Sequence, residues 1–321
     1  MSQSGPSNFA FHYERVLGTS LELQVVATDD AAARRAEEAV LAEVDRVAQI
    51  LSGYSTTSEL ARWQEQHGEV APVSPELAEV LAAAEEWRMY TGGTFNPAAA
   101  SLVELLRDTA PGADTGPAPD VASRDASVRK RIRELRQPLW TVNRTRGVAC
   151  RLTHLHVSLD GIAKGYIVDR AATCASAVDG VTQVLVNIGG DLRHKGERPL
   201  TVAVADPQAP AENAPPIAVV RLKGESLATS GGYRRGFTMD GREVSHILDP
   251  RSGRPASRVI SASVIAPDCA SADALSTAFS VLAPVESVAL ADSLRGVGCL
   301  MVERDGMMTS NGAWRRHTAA A

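Results

Sequence analysis

An α+β fold with mixed sheets and flanking helices is what this 321-residue sequence predicts. Two observations carry the expectation. Helix-period runs and strand-like alternations both recur along the chain, and they mix without the strict strand–helix–strand order of a doubly wound sheet. Hydrophobic residues at 44% and charged residues at 22% are ordinary for a globular chain, which rules out a wholly disordered or fibrous one. The length is close to twice a ~150-residue domain, so one large domain or two intimately packed ones both fit it.

Taken in order, residues 21–26 alternate apolar and polar side chains, the period of a half-buried strand. Asp29 and Asp30 form an N-cap pair for a helix over residues 31–50, in which Ala36, Val40, Val44, Val47 and Leu51 recur at helical spacing. Ser74 as N-cap, with Pro75 at the first helical position, opens a helix over 75–90 that Thr91-Gly92-Gly93 ends. Residues 111–123 are rich in Pro, Gly, Ala and Asp and read as an exposed loop. The charged stretch 124–136 reads as a solvated helix face, because Asp125 and Glu134 interrupt its basic run. Strands are expected at 139–142, 154–159 and 181–188, with a helix over 167–177 between the last two. Further strands at 200–204, 217–222 and 259–266 precede helices over 272–282 and 284–294 and a strand at 298–303. The sequence contains no internal repeat.

Composition excludes several function classes. A net charge of -5 provides no broad electrostatic footprint for nucleic acid or an anionic membrane. Cys150, Cys174, Cys269 and Cys299 are widely spaced, without a CxxC pair or zinc spacing, and read as buried free thiols. Residues 1–11 lack a basic segment followed by an apolar one and lack a lipid-anchoring cysteine. The longest uncharged run, 89–103, is broken by Gly92, Gly93 and Pro97, so it cannot span a bilayer. A cytoplasmic protein with no membrane anchor is expected. Aromatics number only 14 and lysines only four, so either type inside a polar motif is informative.

Five stretches carry chemistry, each at the end of an expected element. In residues 158–166, small residues let backbone groups approach an anion and Lys164 adds a point charge; a plain structural turn is an equal reading, because this is neither a Walker loop nor GxGxxG. Residues 186–191 and 228–234 have the glycines of ordinary turns, together with donors that equally suit a phosphate. Residues 245–255 join the His246 imidazole to Asp249, Arg251 and Arg254. An isolated histidine is usually structural, but these neighbours favour general-base work. In residues 271–278, Asp273 and Thr277 are four apart, so a carboxylate and a hydroxyl on one helix face can meet a hard cation; an N-terminal capping role for Asp273 is the alternative.

With Gly18-Thr19, Leu51-Ser52-Gly53-Tyr54, Ser58-Glu59-Leu60 and the run Thr91-Gly92-Gly93-Thr94-Phe95-Asn96-Pro97, these blocks resemble in their order the ApbE family of flavin transferases, from about residue 17 to 304. The resemblance implies a two-lobed single domain over 17–310, with 1–16 as an N-terminal extension, 108–127 as an exposed loop insertion and 311–321 as a C-terminal tail. It implies magnesium-dependent transfer of FMN from FAD to a Ser or Thr hydroxyl of an acceptor protein, through a phosphoester and with release of AMP. It places Tyr54 on the flavin and makes Thr94, Phe95 and Asn96 a FAD-contacting triplet. Leu17, Ser158, Lys164 and Leu248 fall on further FAD-contacting positions. Asp273, Thr277, the adjacent Ser276 and the Gly161 carbonyl would hold the metal, with Ala163 as an alternative in the same turn. His246 would be the catalytic base. Three residues depart from the family pattern: Leu17 replaces Met, and Asn96 and Ser158 each replace Asp, with Asp160 placed to substitute for the second. Two other activities fit the same residues, an FAD pyrophosphatase and a non-catalytic flavin-binding protein; Tyr54 speaks against the first, and Asp273, Thr277 and His246 against the second.

Overall fold

The computed structural model describes residues 6–108, 121–209, 214–231, 236–239, 242–245 and 248–318. Strands β1 (Ser7–Val16) and β2 (Thr19–Ala27) pair antiparallel from Ser7↔Ala27 to Val16↔Thr19. Leu17 and Gly18 turn the chain between them with φ of 50° and 77°, a region glycine enters at little cost. Helix α1 (Asp30–Leu51) begins where Asp29 accepts the Ala32 amide at 2.8 Å, and it buries the apolar face expected of it. After α2 (Glu59–Gln64) and β3 (Val70–Pro72), Ser74 caps α3 (Pro75–Tyr90) through the Leu77 amide. Helices α4 (Ala100–Asp108) and α5 (Val121–Leu135) follow, then β4 (Trp140–Asn143) and β5 (Val148–Arg151), which with β3 make a small sheet in the order β3-β5-β4.

Helix α6 (Asp160–Ser176) leads into β6 (Val181–Ile188) and β7 (Asp191–Gly196). A hairpin of β8 (Leu200–Val204) and β9 (Ala218–Leu222) precedes β10 (Ser226–Gly231), and β11 (Gly236–Met239) pairs with β12 (Arg242–Ser245). Then come β13 (Val259–Ala266), α7 (Cys269–Phe279), α8 (Pro284–Ser293), β14 (Gly298–Glu303), β15 (Met308–Ser310) and α9 (Gly312–His317). Eight strands form one sheet, ordered β1-β2-β6-β7-β10-β13-β14-β15. The expected α+β architecture is the observed one. Every strand ladder among the described residues is antiparallel, and such ladders need no crossover helix, which is why helices and strands alternate irregularly along the chain.

Strand alternation assigns the two faces of the large sheet. Val184, Val186 and Ile188 of β6 and Ala262, Val264 and Ala266 of β13 face the main core, shared with α1, α6 and α7. Leu185 and Ile265, on the opposite phase, join Val220, Leu222 and Trp314 in a smaller core under the β8–β9 hairpin and α9. Among the described residues no helix is long and apolar enough to cross a membrane. All four cysteines are free.

Several expectations are corrected. Residues 7–16, read as an extension, are the edge strand β1, and Trp314, in the expected tail, is 2% exposed in the smaller core. Of the expected loop insertion, residues 121–127 are the start of α5, and 109–120 lie outside the described residues. Residues 154–159 form no strand: the Val157 amide donates to the Gln64 side chain at 2.8 Å and the Ser158 amide to the Pro97 carbonyl at 2.8 Å, so ladder partners are replaced. Helix α6 begins at Asp160, seven residues before the expected position 167, which places the small-residue stretch inside a helix.

Candidate active site

The early start of α6 has a steric reason. A Cβ on Gly165 would lie 2.3 Å from the Cys269 carbonyl oxygen, and one on Gly161 would lie 3.0 Å from Thr277 Oγ1 and 3.2 Å from Phe95 Cε2. Glycine costs a helix about 1 kcal/mol relative to alanine, and here the close crossing of α6 over α7 offsets it. The crossing brings the first turns of α6 against Asp273 and Thr277, and the Gly165 amide donates to Asp273 Oδ2 at 3.1 Å.

A cleft of about 730 Å³ opens over this crossing. Its floor includes Gly161, Lys164, Asp273 and Thr277; Thr94, Phe95 and Asn96 form one wall, and Ser158, Ser230 and Leu248 also line it. Nine of the thirteen residues singled out from sequence therefore share one cavity. Leu248 is buried and pairs with Pro255 in an isolated bridge.

Lys164 Nζ lies 2.6 Å from Asp191 Oδ2. Burial alone would lower the pKa of this ammonium, but the carboxylates of Asp191 and Asp273 outweigh it and the value is raised. Burial pushes Asp273 well above the usual carboxylate range, and the neighbouring Asp191 charge pushes the same way. A cation beside Asp273 would favour its ionised form against that burial. The donors fit such a cation: the Asp273 carboxylate, the Thr277 hydroxyl and the Gly161 carbonyl are hard oxygens, and the missing side chain at Gly161 keeps the space beside Thr277 Oγ1 open. Among the described residues no group of three or more His, Cys, Asp or Glu could hold a metal.

Other singled-out residues sit differently. Tyr54 is 83% exposed outside the cleft lining, and its hydroxyl donates to Asp160 Oδ2, a cleft residue, at 3.2 Å. Leu17 lies in the β1–β2 turn, again outside the lining; its neighbour Thr19 packs on Gly189, which does line the cleft. Ser276 is fully buried behind the floor, bonded to Ser230 Oγ at 2.8 Å and donating to the Asp273 carbonyl at 2.9 Å. His246 lies outside the described residues. Asn96 uses both ends of its amide locally: Nδ2 donates to the Leu135 carbonyl and Oδ1 accepts the Ala98 amide, each at 3.0 Å. Ser158 Oγ accepts the Asp160 amide at 3.2 Å.

Two residues of the site were not assigned from sequence. Ser230 lines the cleft beside Thr277, with 3.4 Å between their hydroxyl oxygens, and Asp191 holds Lys164. Both belong to glycine-containing stretches noted for their donors, but only the pairing of β7 with β10 brings those stretches together.

The relatives that share the fold define a group-transfer enzyme. The ApbE family model matches residues 17–301. The chain is 32% identical over 310 residues to the FAD:protein FMN transferase of Treponema pallidum, covering 91% of this chain and 84% of that one. The crystal structure of the ApbE protein of Thermotoga maritima superposes with a TM-score of 0.81 at 27% identity, covering 98% of this chain and 100% of that one. The apo form of the Pseudomonas stutzeri flavinyl transferase ApbE does so with a TM-score of 0.77 at 26% identity over 100% of both chains. The chain belongs to the ApbE family.

Proposed function

We propose that this protein transfers FMN from FAD to a Ser or Thr hydroxyl of an acceptor protein, forming a phosphoester and releasing AMP. The observation that carries the reading is the corner where Gly161, Lys164, Asp273 and Thr277 meet on the floor of one cleft. A pyrophosphate is kinetically inert in water, so catalysis needs positioning and charge neutralisation. Magnesium held by Asp273, Thr277 and the Gly161 carbonyl would supply that neutralisation. Lys164, its ammonium anchored by Asp191, presents a fixed positive charge to the phosphates or the flavin edge. Thr94, Phe95, Asn96 and Leu248 shape the wall against which the flavin nucleotide lies. Tyr54, exposed at the rim, offers a ring for stacking on the flavin, and Leu17 and Ser158 complete the proposed contacts. Ser276 supports the metal residues from behind through its bonds to Ser230 and the Asp273 carbonyl. The acceptor oxygen forms its bond to the FMN-side phosphorus as the bond from that phosphorus to the bridging oxygen breaks. The bridging oxygen leaves with AMP, and His246 takes the proton of the acceptor hydroxyl. The free thiols support a cytoplasmic setting.

The same corner would serve a second reading, in which water replaces the acceptor and FAD is cleaved to FMN and AMP. One assay separates the two. Purified protein is incubated with FAD and magnesium, with and without an acceptor, and AMP release and in-gel flavin fluorescence are followed. Fluorescence moving onto the acceptor is expected; rapid AMP release without an acceptor would establish the hydrolase, and tight FAD binding without AMP in either condition would refute both. Asp273→Ala is expected to lose metal-dependent turnover by about two orders of magnitude or more, and unchanged turnover would sink the metal assignment.

A further inference from the structure

Asp191 follows directly on the Gly189–Gly190 turn that joins β6 to β7, and it is 1% exposed. The turn is rigidly built, with φ of 61° and 96° at the two glycines and the Asn187 side chain accepting the Gly190 amide at 3.0 Å. Asp191 is absent from the cleft lining, whereas Lys164 and Asp273 are part of it. The Lys164 ammonium feels the charge of both carboxylates, and its 2.6 Å contact is with Asp191, whose side chain also hydrogen-bonds Asp273. The amide of Thr229 also donates to Asp191, tying that carboxylate to β10.

The half-buried ammonium pairs with Asp191, and were it to turn to Asp273 it would compete with a cation there. Ammonium and divalent cation repel each other strongly where water is excluded, so a carboxylate engaged by lysine is a poor metal ligand. We infer that Asp191 is a positioning residue that holds the Lys164 ammonium away from Asp273, so that Asp273 stays available to a divalent cation. The inference rests on the metal reading of the same site. It assigns one buried carboxylate to the lysine and one to the metal, a division that neither the cleft lining nor the donor set alone requires.

The test is titration of the purified full chain with Mn2+, without FAD, followed by calorimetry and by the loss of the free-ion paramagnetic resonance signal. Asp191→Asn keeps the shape and removes the charge, and it is expected to weaken Mn2+ binding by about tenfold or more as Lys164 turns to Asp273. Adding Lys164→Met to that variant removes the displaced ammonium, and affinity is expected to return to within about threefold of wild type. A purely structural role for Asp191 would not be rescued by removing the lysine. Wild-type affinity in the single variant overturns the inference, and so does a double variant as weak as the single one. Should the single variant fail to fold, the double variant decides alone: near wild-type affinity supports the inference and a tenfold loss overturns it. Wild-type protein that takes up no Mn2+ overturns the metal reading itself, and the inference with it.

Discussion

Gly165→Ala tests the helix crossing on which the site is built. The added Cβ would lie 2.3 Å from the Cys269 carbonyl oxygen, 2.6 Å from its carbon and 2.8 Å from the Ala270 nitrogen. Even a close carbon–oxygen contact is about 3.3 Å, so α6 and α7 must part by roughly 1 Å. All three obstructing atoms are backbone, and no side-chain rotation relieves them. Overpacking of this kind costs about 1–3 kcal/mol or more, against about 1 kcal/mol gained in helix propensity. With the obstruction wholly backbone the upper part of that range applies, leaving a net loss of about 2 kcal/mol. An unfolding entropy of about 2.1 cal/mol/K per residue converts this to a melting point lowered by about 3 °C. Thermal unfolding followed by circular dichroism measures it. Gly161→Ala is the control: its Cβ would meet the side chains of Thr277 and Phe95 at 3.0 and 3.2 Å, which can shift, so its melting point should stay closer to wild type while Mn2+ affinity falls. A Gly165→Ala protein that melts at or above wild type would refute the steric argument.

Two further outcomes follow from particular side chains. Asn96→Asp restores the carboxylate of the family pattern but sets a second acceptor against the Leu135 carbonyl; it is expected to destabilise by about 1–3 kcal/mol in the same melting assay, and an unchanged melting point would show that the Asn96 amide is not committed to that carbonyl. Burial pushes the Asp169 carboxyl up to about 6, although the Cys269 and Ala270 amides that donate to it pull the other way. A raised folded pKa stabilises fully below the unfolded value of about 3.9, and that contribution is lost as pH rises through about 6, a span worth about 3 kcal/mol. The stability of wild type relative to Asp169→Asn should therefore fall between about pH 4 and about pH 7, and a difference constant across that range would remove the burial argument.

Much of the local structure was legible because its causes are local. The caps Asp29 and Ser74 and the apolar period of α1 act within a few residues, and each appears where the sequence puts it. The start of α6 was not legible. Glycines at 161 and 165 signal a turn when only neighbours in sequence are considered, and they become helix-compatible only because α7 lies against them. The same limit applies to the strand expected at 154–159, where Gln64 and Pro97, far along the chain, take the backbone amides. Tyr54 and Leu17 fall on family-like positions, yet both stand outside the cleft lining.

By itself, then, the sequence determined the α+β class, most helix and strand positions, and the ordered blocks that identify the ApbE family. Capping, periodicity and motif order are written in short stretches of chain. Tertiary structure decided which of those blocks share a cavity, that α6 reaches back to Gly161, and that Asp191 rather than Asp273 lies 2.6 Å from Lys164. Those outcomes depend on the close approach of segments more than a hundred residues apart, where one missing Cβ or one buried carboxylate selects the partner. No local pattern encodes that choice.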